Sequence, residues 1–142
     1  GVQIDKGRIG CVGRGAGGLL ALFAAALDER LAATVAWEAP SSYKSLIVEQ
    51  PGFPASVYLF DVLNHFDLPH LMATVAPRSL LLADPVDGER HHVLTSPPAE
   101  VYEWPQQVYG LLGAEAGCFE VFARPKNLVT PQTIVHWLQQ RL

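Results

Sequence analysis

The chain has 142 residues, of which 49% are hydrophobic and 17% are charged, and its formal net charge at pH 7 is −4. This length and composition predict a single globular domain over residues 1–142 and exclude a disordered chain. There is no lysine- or arginine-rich run, so neither nucleic acid nor an anionic membrane is expected as a partner. The longest apolar stretch, Leu19–Leu27, has about half the length of a membrane span. The sequence carries no signal for a cellular compartment.

Apolar runs and helical patterns alternate along the chain. The predicted strands, each a short apolar run, are Arg8–Val12, Ala32–Trp37, Ser79–Ala83 and Cys118–Ala123. The long predicted helices are Gly15–Leu27, Pro98–Leu112 and Thr130–Leu142. Shorter helices are predicted in the irregular middle of the chain, at Ser42–Glu49, Val57–His65 and Leu68–Val75. Strands that alternate with helices predict an α/β fold, in which a mostly parallel sheet of about four strands carries helices on both faces.

The two cysteines, Cys11 and Cys118, both fall in predicted strands. Free thiols that pack as small hydrophobic side chains are therefore expected rather than a disulfide. No spacing of cysteines and histidines indicates a metal site. Neither a metal ion nor, in the interpretation favoured below, a cofactor is expected.

The first predicted strand and helix are joined by the turn Gly13-Arg-Gly-Ala-Gly-Gly18. In a nucleophile elbow, G-x-S-x-G, the turn is so tight that flanking side chains would clash, and the central residue is strained. Gly13, Gly15 and Gly17 fill the first, central and last positions, with glycine where the nucleophilic serine would stand. This pattern predicts a positive φ for Gly15 and room for serine there. It also predicts that valine would clash at Gly13 or Gly17.

The same turn matches a second pattern, the dinucleotide-binding G-x-G-x-x-G, through Gly13, Gly15 and Gly18. In that pattern a pyrophosphate approaches the backbone at the helix N-terminus, and Glu38, twenty residues after Gly18, would bind the ribose. A third interpretation is a glycine turn that only allows the helix to pack on the sheet. About forty residues of broken chain separate Glu38 from Ser79, which is longer than a normal crossover and argues against the dinucleotide fold.

Four segments carry a resemblance to a known family. They are Ala25-Ala-Leu-Asp-Glu-Arg30, Trp37-Glu-Ala-Pro-Ser-Ser-Tyr43, Phe66-Asp-Leu-Pro-His-Leu71 and Val75-Ala-Pro-Arg-Ser-Leu-Leu-Leu82. Together they resemble the C-terminal half of α/β-hydrolases of the acetyl-xylan esterase and dienelactone hydrolase kind. The last two segments are similar to the part of that family that leads into the acid-bearing strand. The resemblance runs from about Arg8 to Leu142.

The resemblance implies positions for a serine–histidine–acid triad, in which serine attacks an ester, histidine takes its proton and the acid orients the histidine. Gly15 stands at the serine position. Asp87, in the loop after the strand Ser79–Ala83, matches the acid, while Asp84 ends that strand. Asn127 stands at the histidine position, between the last strand and the terminal helix.

The other side chains that could act as a base or a nucleophile are predicted to have structural roles or to face solvent. The histidines expected to pack, cap or face solvent are His65, His70, His91, His92 and His136. The side chains with nucleophilic atoms in or near strand ends are those of Cys11, Ser41 and Ser42. None of these has a base in an identifiable place, so none is predicted to replace the missing serine.

The predicted function follows from the absence of serine at Gly15 and of histidine at Asn127. A family member also needs a loop before the elbow that donates an oxyanion-hole N–H, and only about seven residues precede Arg8–Val12 here. Loss of one such donor lowers the rate by about two to three orders of magnitude. A catalytically degenerate hydrolase-like domain (a pseudoenzyme) that acts through association is therefore predicted. The alternatives are a carboxylester hydrolase whose N-terminal half comes from another chain or was removed, and a Rossmann-like dinucleotide-binding domain.

The partner is expected at the first strand. In an intact family member the strand that corresponds to Arg8–Val12 lies inside the sheet, so one of its edges would be unpaired here. An apolar strand with free N–H and C=O groups is a template for pairing. The sequence therefore predicts a homo-oligomer, or a partner chain, across this edge. In a self-pair the two strands would run antiparallel about a two-fold axis.

Overall fold

The computed structural model describes residues 5–49, 51–93, 100–123 and 129–142. Within these ranges, strands and helices alternate. In chain order they are β1 (Ile9–Arg14), α1 (Ala16–Leu27), β2 (Leu31–Trp37), α2 (Tyr43–Val48), α3 (Leu68–Thr74), β3 (Ser79–Ala83), α4 (Glu103–Leu111), β4 (Phe119–Phe122) and α5 (Pro131–Arg141). Short 3-10 turns cover Ala55–Val57, Val62–Asn64 and Glu100–Tyr102. The predicted α/β fold is confirmed.

The strands form one parallel sheet in the order β1-β2-β3-β4. All four strands therefore end on the same edge of the sheet, which we call the carboxyl edge. β3 is buried at all five residues, as expected of a leucine-rich strand that is covered on both faces. β1 is an outer strand, and none of the described strands pairs with its free side.

Helices cover both faces of the sheet, because neighbouring side chains of a strand point in opposite directions. On one face, Leu80 and Leu82 of β3 pack with residues of α1, α3 and α4 in the main core. On the other face, Leu81 packs with Ile134 and Trp137 of α5 in a second core. The predicted placement of helices on both faces is confirmed, with α5 alone among the described helices on its side.

One carboxylate holds the start of two helices between β2 and β3. Asp67 is the N-cap of α3 and accepts a hydrogen bond from the backbone amide of Leu68 at 2.6 Å. The same carboxylate accepts from the amide of Tyr43, the first residue of α2. Nδ1 of His70 in turn accepts from the Asp67 amide at 3.0 Å, so His70 is a capping residue, as expected. Because the first amides of a helix have no partner within it, these bonds fix α2 and α3 relative to each other.

The C-terminal end of α1 is tied to β2 and β3 by Arg78. Its guanidinium donates hydrogen bonds to the carbonyl oxygens of Ala25 (2.7 Å), Asp28 (3.0 Å) and Leu31 (3.0 Å). The last carbonyls of a helix have no partner within it, and a cation there is favoured by the helix dipole. The carbonyl of Arg78 also accepts from the hydroxyl of Tyr109 at 2.8 Å. Arg78, which directly precedes β3, therefore connects that strand to α1, β2 and α4 through its side chain and its backbone carbonyl.

The helix predicted over Val57–His65 is wrong. The structure has two 3-10 turns in this region, Ala55–Val57 and Val62–Asn64. Asp61, between them, has a left-handed φ of 59°, which does not continue a right-handed helix. Phe60 is fully exposed, so the apolar residues of this stretch do not share one buried face.

Candidate functional site

The carboxyl edge carries three similar turns, one after each of β1, β2 and β3. The first residue after each strand has a positive φ: 60° at Gly15, 47° at Glu38 and 45° at Asp84. The backbone N–H of each of these residues donates a hydrogen bond of 2.7 Å to the carbonyl oxygen of the last residue in the next strand. The three acceptors are Trp37, Ala83 and Phe122. Few non-glycine residues have a positive φ, and strained residues cluster at functional sites. Ligands of open α/β sheets also bind at this edge, which makes it the candidate site.

Gly15 forms the sharp turn between β1 and α1. Its φ of 60° and ψ of −123° are those of the first central residue of a type II′ turn. The predicted positive φ is confirmed. Gly15 is buried, and a Cβ added to it would have only Nη2 of Arg90, at 3.9 Å, among the described atoms within 4 Å. A serine side chain therefore has room here, although a positive φ strains any L residue.

The other glycines of the turn differ in whether there is room for a side chain. A Cβ on Gly13 would lie 1.8 Å from the carbonyl oxygen of Gly17, so β1 and α1 touch backbone to backbone. A Cβ on Gly18 would lie 2.9 Å from the carbonyl oxygen of Trp37, so α1 also approaches β2 closely. At Gly17 the neighbouring elements leave open space. The predicted clash of valine is therefore supported at Gly13 and wrong at Gly17.

Arg14 and Glu38 form a bidentate ion pair between the ends of β1 and β2. Nε of Arg14 lies 2.8 Å from Oε2 of Glu38, and Nη2 lies 2.9 Å from Oε1. The guanidinium also lies 4.5 Å from the ring centroid of Trp37, its neighbour in the sheet register. The hydrogen bonds and the positive charge of Arg14 hold the pKa of the Glu38 carboxyl below its ordinary value, and the charge of Arg90 acts in the same direction. Glu38 is thus an ionised carboxylate whose two oxygens are both in use.

We expect no NAD binding at this turn. In the dinucleotide interpretation Glu38 would accept hydrogen bonds from the ribose, but here its carboxylate is held in a bidentate pair with Arg14, with which a ribose would have to compete. A calorimetric titration with NAD should therefore give only the heat of dilution. The matched control is Glu29→Ala, an exposed acid between α1 and β2 at the opposite edge. Micromolar binding that is lost in Glu38→Ala and kept in Glu29→Ala would instead establish the nucleotide interpretation.

Asp87, the predicted acid, organises the loop after β3. Its Oδ1 accepts hydrogen bonds from the backbone amides of Glu89 (3.0 Å) and His91 (2.8 Å), and Nδ1 of His91 lies 3.5 Å from its Oδ2. The next residue, Gly88, anchors the loop to the end of α2, because its amide donates to Oε2 of Glu49 at 2.6 Å. These are the contacts of a turn aspartate. The histidine beside the carboxylate of Asp87 belongs to the same loop.

The structure describes Asp84, the residue predicted to end the third strand, but not Asn127. Asp84 is fully buried and directly follows β3, which agrees with its predicted place at the end of that strand. Asn127, at the predicted histidine position, lies outside the described residues. Two of the three predicted triad positions, Gly15 and Asp87, therefore lie on the carboxyl edge with Asp84, and the histidine position stays a prediction.

In the described ranges of the chain, no hydrogen bond joins a histidine ring to a serine or a cysteine. Ser42 is the N-cap of α2, and its hydroxyl accepts from the amide of Ser45 at 3.0 Å. His136 is exposed, as expected, and lies 3.0 Å from the side-chain amide of a neighbouring glutamine. Cys11 and Cys118 are free thiols, as predicted.

Across the same ranges, no group of three or more His, Cys, Asp or Glu residues could hold a metal ion, and no helix is long and apolar enough to cross a membrane.

Two arginines of this edge had no role in the sequence analysis. Arg90 lies over the ring of Phe53, 5.2 Å from its centroid, and reaches the turn at Gly15 from the loop after β3. No local pattern marks this arginine. Arg14 could have been identified, because it is the one charged residue of the glycine turn and Glu38 directly follows the next strand. Neighbouring parallel strands end side by side, which brings such a pair together.

Comparison of the chain with protein-family models, with curated proteins and with solved structures finds no match. The function proposed below therefore depends on the residues and the geometry of the carboxyl edge.

Proposed function

We propose that this chain is a catalytically degenerate α/β-hydrolase-like domain that acts through association with another polypeptide. The observation that carries the proposal is the turn after β1, where Gly15 has the positive φ expected at the centre of an elbow and no side chain. Glycine adopts this backbone without strain, whereas in a hydrolase a strained L residue at this position presents the nucleophile. Here the same backbone presents only a hydrogen atom. The turn is therefore kept without the group that would react.

The predicted acid position supports the same function. The carboxylate of Asp87 is engaged by the amides of its own loop, and the histidine beside it, His91, has a largely exposed ring. A serine nucleophile needs a base within hydrogen-bond reach. Removal of the serine or the histidine of a protease triad lowers kcat by roughly six orders of magnitude. A chain that lacks the first of these groups and shows no serine–histidine pair in its described residues is expected to be inactive.

Association is supported by the surface of α1. This helix has no polar residue along its whole length, although it buries only one side. Leu20 and Leu27 are 69% and 84% exposed. An apolar groove of about 310 Å³ continues this surface between α1 and Leu59. A helix that is apolar all round is normally covered on all sides, and large exposed apolar surfaces mark association sites.

The test is ester hydrolysis, and we expect none. Turnover of p-nitrophenyl acetate by the unaltered chain should equal that of Gly15→Ala, because neither has a nucleophile at the elbow. Gly15→Ser should also be inactive, since it adds a hydroxyl without a base. Gly17→Ser is its matched control, with a hydroxyl added at a helix position that has open space.

Two results would contradict this expectation. Saturable hydrolysis by the unaltered chain that is lost in Gly15→Ala would show an active esterase and overturn the proposed function. Saturable hydrolysis gained in Gly15→Ser, but not in Gly17→Ser, would show that a base is already in place. The degeneracy would then be confined to Gly15.

A further inference from the structure

The groove beside α1 is bounded on its other side by the stretch of chain between α2 and α3. Leu19 of α1, Tyr43 of α2 and Val57 line it and are buried, so they form its floor. Leu20 and Leu59 line it with 69% and 45% of their surface exposed, so they form its rim. Its volume of about 310 Å³ lies at the lower end of the range of small-molecule sites.

The chemistry of the lining favours an uncharged ligand. Of the eight residues that line the groove in the described part of the chain, none is charged and only Tyr43 and Ser56 have polar side chains. Bound water needs about two to four polar partners, so an apolar molecule that displaces water from such a groove gains affinity. Tyr43 is only 1% exposed, and its hydroxyl has no hydrogen-bond partner among the described residues. Because a buried donor without a partner is costly, an acceptor on the ligand would be favoured.

We propose that this groove binds an uncharged aromatic ketone of about two fused rings, whose carbonyl oxygen accepts a hydrogen bond from the hydroxyl of Tyr43. A cavity of about 150 Å³ holds one benzene ring, and the groove has about twice that volume. The rings of Phe23 and Tyr43 both line it, and aromatic rings attract one another beyond the effect of burial. The inference goes beyond the proposed function, because such binding requires neither an elbow nor a partner chain.

The first test is a titration of the unaltered chain with acetylnaphthalene, followed in its two-dimensional amide NMR spectrum. Saturable shifts should be confined to residues around the groove, including Leu19 and Val57, with a dissociation constant on the order of 10–100 µM. Leu59→Asp should raise this constant at least about tenfold, because an apolar ligand at the rim would strip water from the carboxylate. The matched control is Leu63→Asp, since Leu63 is 44% exposed on the same stretch of chain and lies outside the lining.

Tyr43→Phe tests the hydrogen bond, because it removes the hydroxyl and keeps the ring. It should raise the dissociation constant for acetylnaphthalene about three- to tenfold. The constant for naphthalene, which has no acceptor, should stay the same. Equal changes for the two ligands, or no change for either, would overturn Tyr43 as the donor.

Three results of the titration would overturn the binding site itself. The first is a spectrum without saturable shifts around the groove, and the second is equal weakening by Leu59→Asp and Leu63→Asp. The third is a shift of the same groove residues when the protein concentration is raised without ligand, because a second copy of the chain would then occupy the groove. None of these results depends on ester hydrolysis, so this inference and the proposed function fail separately.

Discussion

Gly13→Ala should remove most of the folding stability of the chain. The added methyl carbon would lie 1.8 Å from the carbonyl oxygen of Gly17 and 2.3 Å from its carbonyl carbon. Both are backbone atoms of α1, which cannot rotate away as the end of a side chain can. Relief requires α1 to lift from β1, which would loosen Leu19 and Leu22 in the main core. We expect a loss of at least about 4 kcal/mol, beyond the usual range of point substitutions and comparable to the whole stability of a marginal domain.

The matched control for this loss is Gly17→Ala, four residues along the same turn. Gly17 lies in α1 and has open space around it, so alanine should be tolerated and should stabilise the helix by up to about 1 kcal/mol. Urea unfolding followed by circular dichroism gives both values, at the same protein concentration for each variant. An unfolding midpoint of Gly13→Ala equal to that of the unaltered chain would contradict the close approach of β1 and α1.

Most of the fold could be predicted because its signals are local. The strand Ser79–Ala83 has the same bounds in prediction and structure, since a run of leucines stands between Arg78 and Asp84. Apolar runs that alternate with helical patterns are enough to predict a parallel α/β sheet. The stretch Val57–His65 could not be predicted in the same way. Its 3-10 turns depend on the backbone of Asp61 and on which of its apolar side chains the core accepts.

The same distinction between local signals and contacts of the folded chain applies to the candidate site. The positive φ of Gly15 could be predicted, because the spacing of the glycines is itself the signal. The difference between Gly13 and Gly17 could not, because it depends on what lies across from each of them in the folded chain. Arg90 reaches the turn from a distant loop, so no pattern in the sequence places it there. The role of Asn127 stays a prediction.

Arg78→Met should destabilise the chain by about 3 kcal/mol, because three carbonyl oxygens would lose a charged donor. These acceptors, on Ala25, Asp28 and Leu31, span the end of α1 and the start of β2. Methionine keeps much of the side-chain volume and cannot donate a hydrogen bond. Arg78→Lys should recover only part of the loss, since an ammonium cannot reproduce the planar fork of the guanidinium. Urea unfolding measures each variant against the unaltered chain.

The control for the loss of charge is Arg30→Met, at the same end of α1. Arg30 pairs with the carboxylate of Asp28 but its side chain is 79% exposed, so its removal should lower the unfolding midpoint far less than the removal of Arg78. Hydrogen exchange should show the same contrast, with faster exchange in the last turn of α1 for Arg78→Met and unchanged exchange for Arg30→Met. If the two methionine variants unfolded at the same urea concentration, Arg78 would be an ordinary surface charge. The end of α1 would then be held by its apolar packing alone.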